Sequence, residues 1–84
     1  MSVLLEVEMP EGAFSALKQD HEGLTRELRL AAAAKWYEMG IISQEKAAEI
    51  AGLSRMKFIF SLSKYGVSPF QYTVEEIREE LDRV

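Results

Sequence analysis

The chain has 84 residues, a net charge of −4 and no cysteine, and these properties exclude several classes of protein. A chain of this length forms one small domain that buries a modest share of its surface, so a dimer or an obligate partner is expected. The lack of cysteine excludes disulfides and thiolate metal sites, and neither a signal peptide nor an apolar run of roughly 20 residues is present, so the sequence predicts a cytoplasmic protein with no membrane span.

Residues 2–9 alternate between apolar and other side chains, which is the pattern of a half-buried strand. One face of this strand would carry Val3, Leu5, Val7 and Met9, and Pro10 would close it. A lone strand needs a partner, and "GVSPFQY" is a weak candidate within the chain. Pairing within the chain and pairing with a second copy both remain open.

Residues 11–40 are predicted to form a helical dimerisation region. "EGAFSALKQ" predicts a short helix, and a longer one runs from Glu22 to Met39 with Gly40 as its stop. The predicted inner side of the long helix carries Leu24, Leu28, Ala31, Ala32, Trp36 and Met39. The alanine tract 31–34 would let another helix approach closely, either as ordinary core or as a seam between two copies.

Residues 43–65 have the pattern of a helix-turn-helix. Ser43 and Ser54 are predicted N-caps, Gly52 ends the first helix, and Ala48 is small enough for two helices to cross there. The predicted inner faces carry Ala47, Ile50 and Ala51 on the first helix, and Phe58, Leu62 and Tyr65 on the second.

The same segment is the basic part of an acidic chain. Residues 43–65 carry four bases against two acids, whereas 1–42 and 66–84 each have a net charge of −3. The candidate DNA-binding residues are Gln44, Lys46, Ser54, Arg55 and Lys57. However, Met56, Ile59 and Phe60 would face outward, and such apolar residues favour a protein partner. The segment therefore predicts either a DNA reader or an interaction module of the same shape.

The C-terminal segment 73–84 is predicted to be an acidic helix. Thr73 and Glu76 have the spacing of a capping box, and Val74, Ile77 and Leu81 form a narrow apolar stripe. The predicted fold is therefore mainly α, with a short N-terminal strand and about five helices in a single domain, 1–84.

Catalytic chemistry is not indicated. His21 is the only histidine, no glycine-rich phosphate loop occurs, and the clustered glutamates near the C-terminus have the spacing of a solvated helix face. We therefore expect no enzyme activity, no catalytic residues, no metal site and no cofactor.

The segments "ELRLAAAAKWYEMG", "KAAEIAGLSR" and "KYGVSPFQYTVEEIREEL" together resemble a family of small, uncharacterised prokaryotic antitoxins. These loosely VapB-like proteins are often encoded beside PIN-domain ribonucleases and are regarded as antitoxins. The resemblance implies an antitoxin that neutralises a toxin and regulates transcription by binding its own operator DNA. Glu45 is a departure, because relatives often carry glycine there.

The resulting hypothesis assigns each surface a partner. The arginine and lysine of the second helix would contact operator DNA. Two sets of apolar residues would hold the toxin, namely Met56, Ile59 and Phe60 in the basic segment and Val74, Ile77 and Leu81 in the acidic helix. A homodimer is expected. The alternative is a protein–protein interaction module that does not bind DNA.

Overall fold

The computed structural model describes residues 1–70, which contain four α-helices and one 3₁₀ turn. The helices are α1 (Glu11–Leu17), α2 (His21–Glu38), α3 (Gln44–Ala51) and α4 (Arg55–Leu62), and the 3₁₀ turn (Ser63–Tyr65) continues α4. The described part of the chain is thus all-α with four helices, and the helix predicted over 73–84 lies outside it. Among these four helices, none is long and apolar enough to cross a membrane.

The N-terminal segment does not form the predicted strand. Residues 1–10 have no regular secondary structure, and all ten are exposed. The prediction of a strand over 2–9 is wrong for the single chain, because a strand is held by hydrogen bonds to a neighbouring strand and the described residues provide none. The alternating pattern arranges the side chains for a strand, but it does not supply the partner.

The helix ends follow the predicted signals. Ser43 and Ser54 cap α3 and α4, their hydroxyl oxygens accepting hydrogen bonds from the backbone N–H groups of Lys46 (3.1 Å) and Lys57 (3.2 Å). The predicted stops Gly40, Gly52 and Gly66 all have the left-handed backbone that favours glycine, with φ of 76°, 73° and 65°. Short-range signals therefore determine where these helices begin and end.

The core is made mainly of small side chains where α2 packs against α3. Ala33 and Ala34 on α2 are buried together with Ala47, Ala48 and Ala51 on α3. The alanine tract thus contributes to an ordinary core within the chain, which was one of the two predicted roles.

Aromatic rings close this core from the side of α4. Phe58 and Leu62 are buried as predicted, and the ring of Phe58 meets the ring of Tyr37 edge to face, with centroids 6.0 Å apart. Such aromatic pairs stabilise by about 1 kcal/mol beyond the area they bury. Together these residues fix α4 against α2 and α3.

The inner face of α2 differs from the predicted one. Leu24 is buried as predicted. The side that packs on the core, however, carries Leu30, Ala33, Ala34 and Tyr37, whereas Leu28, Trp36 and Met39 are 39%, 43% and 59% exposed. Apolar residues occur at helical spacing on both sides of α2, so the periodicity allows two orientations. The alanine side is selected because it allows the closer approach of α3. The outer apolar side is left uncovered within residues 1–70.

Arg29 fastens α2 to the turn that follows α3. Its Nε donates a hydrogen bond to the Ile50 carbonyl oxygen at 2.8 Å. A Cβ atom at Gly52 would lie 3.2 Å from both terminal nitrogens of this guanidinium. Position 52 therefore favours glycine for its positive φ, and a larger residue would also require the Arg29 guanidinium to shift by a few tenths of an ångström.

Glu27 links α2 to the 3₁₀ turn at the end of α4. Its carboxylate accepts hydrogen bonds from the Lys64 ammonium (2.8 Å) and the Tyr65 hydroxyl (2.7 Å). These bonds, chiefly that from Lys64, lower the pKa of Glu27 below its ordinary value of 4.5. Burial, together with the bond to Glu27, raises the pKa of Tyr65 to about 12.

Substitution of Glu27 by glutamine is expected to remove a component of acid sensitivity. Because the pKa of Glu27 is lower in the folded chain, its contribution is present above about pH 4.5 and is lost as the pH falls through the folded-state pKa. The difference in free energy of unfolding between wild type and E27Q should therefore shrink on acidification, from at most about 1 kcal/mol at neutral pH. Urea titrations at neutral and acidic pH measure it.

The matched control is E49Q, which removes a carboxylate paired with Lys46 within one solvent-exposed turn of α3. Its effect on the free energy of unfolding should be smaller at every pH. Equal acid sensitivity of wild type and E27Q would contradict the assigned role of Glu27.

Candidate functional site

The turn between α3 and α4 presents the first residues of α4 to solvent. The connection consists of residues 52–54, with Leu53 packed against the core and Ser54 capping α4. Arg55, Met56 and Lys57 follow, and all three are exposed. The predicted pair of helices and its glycine turn are therefore confirmed, and the predicted basic residues lie at the start of the second helix.

Arg55 is held in place by Gln44, eleven residues earlier in the chain. The Arg55 Nε donates a hydrogen bond to the Gln44 side-chain oxygen at 2.7 Å. This bond spans the turn and brings together two of the predicted DNA-binding residues. Nε is used internally, and no hydrogen bond or ion pair within residues 1–70 engages the two terminal nitrogens of the guanidinium, which are also donors.

Gln44 is itself fixed by the opposite end of its amide. The Gln44 side-chain nitrogen donates to the Pro69 carbonyl oxygen at 2.8 Å and to the Tyr37 hydroxyl at 3.1 Å. The Tyr37 hydroxyl in turn donates to the same Pro69 carbonyl at 2.7 Å. These bonds make Gln44 a positioning residue for Arg55. Its contact with the DNA backbone stays a prediction.

The two lysines of the site differ in their surroundings. Lys46 forms an ion pair with Glu49 at 2.8 Å, which raises the pKa of Lys46 and offsets its charge. No hydrogen bond or ion pair within residues 1–70 engages the ammonium of Lys57. Lys57 is consequently the better placed of the two for a phosphate, while Lys46 would first have to leave its partner.

The residues predicted to bind a protein partner are only partly described. On α4, Met56 is 62% and Phe60 73% exposed, as the prediction required, whereas Ile59 is partly buried. Val74, Ile77 and Leu81 lie outside the described residues. An apolar surface of two large side chains is thus established on α4, beside its basic first turn.

Sequence reasoning missed the role of Tyr37 and the outer apolar side of α2. The spacing of Leu30, Ala33, Ala34 and Tyr37 at i, i+3, i+4 and i+7 is a signal for the true inner face. It was obscured by equally regular apolar residues on the opposite side. The Tyr37–Gln44–Pro69 contacts join positions far apart in the chain and leave no local sequence signal.

The described residues define a small all-α domain built around two helices joined by a tight glycine turn. The chain belongs to the uncharacterised protein family UPF0175, whose model matches residues 2–84.

Two UPF0175 proteins of Aeropyrum pernix are similar to it. One is 38% identical over 76 residues, which covers 90% of this chain and 80% of the relative. The other is 41% identical over 58 residues, covering 69% and 73%. A UPF0175 protein of Archaeoglobus fulgidus is 41% identical over 61 residues, covering 73% of this chain and 69% of the relative. No solved structure matches the chain.

Proposed function

We propose that this chain is an antitoxin-like regulator that binds and neutralises a partner toxin and binds its own operator DNA through residues 43–65. The observation that carries the DNA-binding part is the hydrogen bond from Arg55 to Gln44, which holds a guanidinium at the first turn of α4. A guanidinium that is already ordered loses less side-chain entropy when it binds a ligand. In a helix-turn-helix protein, the first turn of the second helix is where base-reading residues lie, which supports this role for Arg55.

In this proposal the first turn of α4 enters the major groove. The two terminal nitrogens of Arg55 match the O6 and N7 acceptors of a guanine, or the oxygens of a phosphate. Lys57 contacts the DNA backbone, and Ser54 maintains the start of the helix. The excess of bases in residues 43–65 supports this orientation toward a polyanion.

The toxin-binding part rests on the resemblance to VapB-like antitoxins and on charge. Residues 66–84 carry five acids against two bases. An acidic helix with Val74, Ile77 and Leu81 on its apolar side would cover the basic RNA-binding cleft of a PIN-type ribonuclease. Inhibition would then follow from occlusion and from electrostatic complementarity.

A homodimer is part of the proposal. The exposed side chains Leu28, Trp36 and Met39 give α2 an apolar outer side that a second copy would cover. Residues 11–40 therefore remain the proposed dimerisation region. An isologous interface along α2 would bring the α4 helices of two copies into one dimer. Binding to two half-sites requires two such helices.

Co-expression of the chain with the product of the adjacent gene tests the antitoxin proposal. We expect the two proteins to co-purify and the neighbour to be a ribonuclease that is inactive in the complex. I77S combined with L81S should abolish the complex, whereas E79Q should retain it. A neighbour that is not a nuclease, or no complex, would remove the antitoxin proposal. If light scattering of the purified chain gives the mass of a monomer, the proposed homodimer is contradicted.

A second candidate function is a protein–protein interaction module that does not bind DNA. The exposure of Met56 and Phe60 on α4 favours it, because DNA-reading helices carry polar residues at outward positions. The two functions differ in whether Arg55 and Lys57 contact DNA.

A further inference from the structure

The N-terminal segment 1–10 leaves an alternating apolar pattern exposed to solvent. All ten residues are exposed, and the apolar side chains of Val3 and Leu5 are 90% and 83% exposed. No hydrogen bond within the described part of the chain engages the backbone of residues 2–9. The backbone at Pro10, immediately before α1, is extended, with φ −66° and ψ 149°. A segment of this kind is a template for pairing with another strand.

The candidate partner within the chain, "GVSPFQY", is engaged elsewhere over its described residues 66–70. The N–H groups of Gly66 and Val67 donate to carbonyls at the end of α4 and in its 3₁₀ turn, both at 3.1 Å. The Phe70 N–H donates to the Ser68 hydroxyl at 3.1 Å. Pro69 has no N–H, and its carbonyl already accepts two side-chain hydrogen bonds. Few groups are left here for a strand ladder, so the partner for the N-terminal segment is a second copy of the chain.

The alternation restricts which residues of two copies can lie opposite each other. In an antiparallel pair, residues directly opposite project from the same face of the ribbon. The odd-numbered residues Val3, Leu5 and Val7 are apolar, whereas the even-numbered face contains Glu6 and Glu8. Pairing odd with odd residues keeps one face of the ribbon apolar in both copies. Pairing odd with even residues would mix glutamates with apolar side chains on both faces.

Charge then selects the centre of the two-fold pairing, because like charges directly opposite are destabilising. A centre on Glu6 sets the two Glu6 carboxylates opposite each other, and a centre on Val7 sets Glu6 opposite Glu8. Parallel in-register pairing sets each glutamate beside its own copy. A centre on Leu5 places each glutamate opposite an uncharged residue. A centre on Leu4 also avoids opposed acids, but it pairs fewer residues of the segment.

We propose that residues 2–8 of two copies pair as a two-stranded antiparallel ribbon centred on Leu5. Leu5 then lies opposite Leu5 of the second copy, and Val3 lies opposite Val7 of the second copy. This rests on the homodimer of the proposed function and deepens it, by naming the contact that the N-terminal segment makes. A two-stranded ribbon is marginally stable alone in water, so it forms together with the contact along α2.

Disulfide cross-linking tests the register directly, because the chain has no cysteine of its own. L5C, E6C and V7C are each introduced alone into the full chain and oxidised, and the covalent dimer is followed on non-reducing gels. Position 5 lies opposite its own copy, whereas positions 6 and 7 are displaced from theirs along the ribbon, beyond the roughly 7 Å over which two Cα atoms can be bridged. L5C should therefore cross-link at least about tenfold faster than E6C or V7C.

The combined variant V3C/V7C is the matched positive control for V7C. Position 3 lies opposite position 7 in the proposed register, so this variant should cross-link at a rate similar to that of L5C. Cross-linking of E6C or V7C as fast as L5C would overturn the ribbon, and so would a failure of V3C/V7C to cross-link faster than V7C.

A pair of lysine substitutions tests the ribbon without a cross-link. Leu4 and Leu5 are neighbours with similar exposure in the single chain, 86% and 83%. L5K sets two lysines opposite each other on the apolar face and should weaken dimerisation at least about tenfold. L4K sets each lysine opposite Glu6 of the second copy and should tighten dimerisation about threefold, a gain that salt reduces. Equal effects of L4K and L5K on the dimer dissociation constant, measured by sedimentation, would contradict the pairing.

The outcomes separate the ribbon from the homodimer of the proposed function. If the wild type is a dimer by light scattering but L5C cross-links no faster than V7C, the ribbon is wrong and the homodimer stands. If the wild type is a monomer, the homodimer is contradicted and the ribbon with it.

Discussion

Replacing Phe58 by alanine is expected to lower the free energy of unfolding by about 3–5 kcal/mol, the range for a phenylalanine removed from a core. The side chain is fully buried and packs edge to face on Tyr37. The buried cluster that contains it has five alanines, which have no flexible side chains to fill a cavity. In a domain this small, such a loss removes much of the total stability. Urea denaturation followed by far-UV circular dichroism measures it.

Phe60→Ala is the matched control, because Phe60 lies on the same helix and is 73% exposed. Its effect on the free energy of unfolding should stay within about 0.5 kcal/mol. If F58A and F60A destabilise equally, the assigned inner face of α4 is wrong. F60A also tests whether Phe60 binds a protein partner, because it removes an exposed apolar side chain from a chain that stays folded.

Replacing Arg55 and Lys57 together by alanine is expected to weaken binding to the protein's own upstream DNA about a hundredfold. Both side chains are exposed at the first turn of α4, and the guanidinium of Arg55 is fixed by Gln44. Removing cations that contact phosphate also reduces the number of released counterions. The slope of log affinity against log salt concentration should therefore become shallower by about 1 to 2. Gel-shift titrations at two salt concentrations measure both effects.

Lys35→Ala is the control for a general charge effect. Lys35 is an exposed lysine on α2, outside the basic segment 43–65, and is paired with Glu38. Because it lies within the proposed dimerisation region 11–40, light scattering checks that this variant keeps the wild-type mass. It should leave DNA affinity within about twofold of wild type, as expected for a distant surface charge. DNA binding that the double variant leaves unchanged would refute the assigned interface. No specific binding by the wild type would favour the interaction module.

Much of the helical framework could be predicted from local signals. Ser43 and Ser54 mark helix starts, and Gly40, Gly52 and Gly66 mark ends, because capping and positive φ depend on a few adjacent residues. Burial of Phe58 and Leu62 also followed from their spacing. The predicted basic residues at the start of α4 are exposed there, although their contact with DNA remains a proposal.

Other features could not be predicted because they depend on distant partners. The alternating residues 2–9 are compatible with a strand, but hydrogen bonds to a neighbour are required to make one. The hydrogen bonds from Gln44 to Tyr37 and Pro69 were not predicted, because the sequence neighbours of Gln44 reveal neither partner. Lys46 is a different case, because its ion pair with Glu49 lies within one helical turn and the spacing is visible in the sequence.

The sequence by itself determined the helix boundaries, the glycine turn between α3 and α4, and the basic character of the segment that contains it. The tertiary structure alone decided which side of α2 faces inward, since both sides are apolar and only the alanine side lets α3 approach closely. It also decided that the Gln44 side chain accepts a hydrogen bond from Arg55 and so positions it. That role arises from hydrogen bonds joining residues up to 32 positions apart, which exist only once the chain has packed.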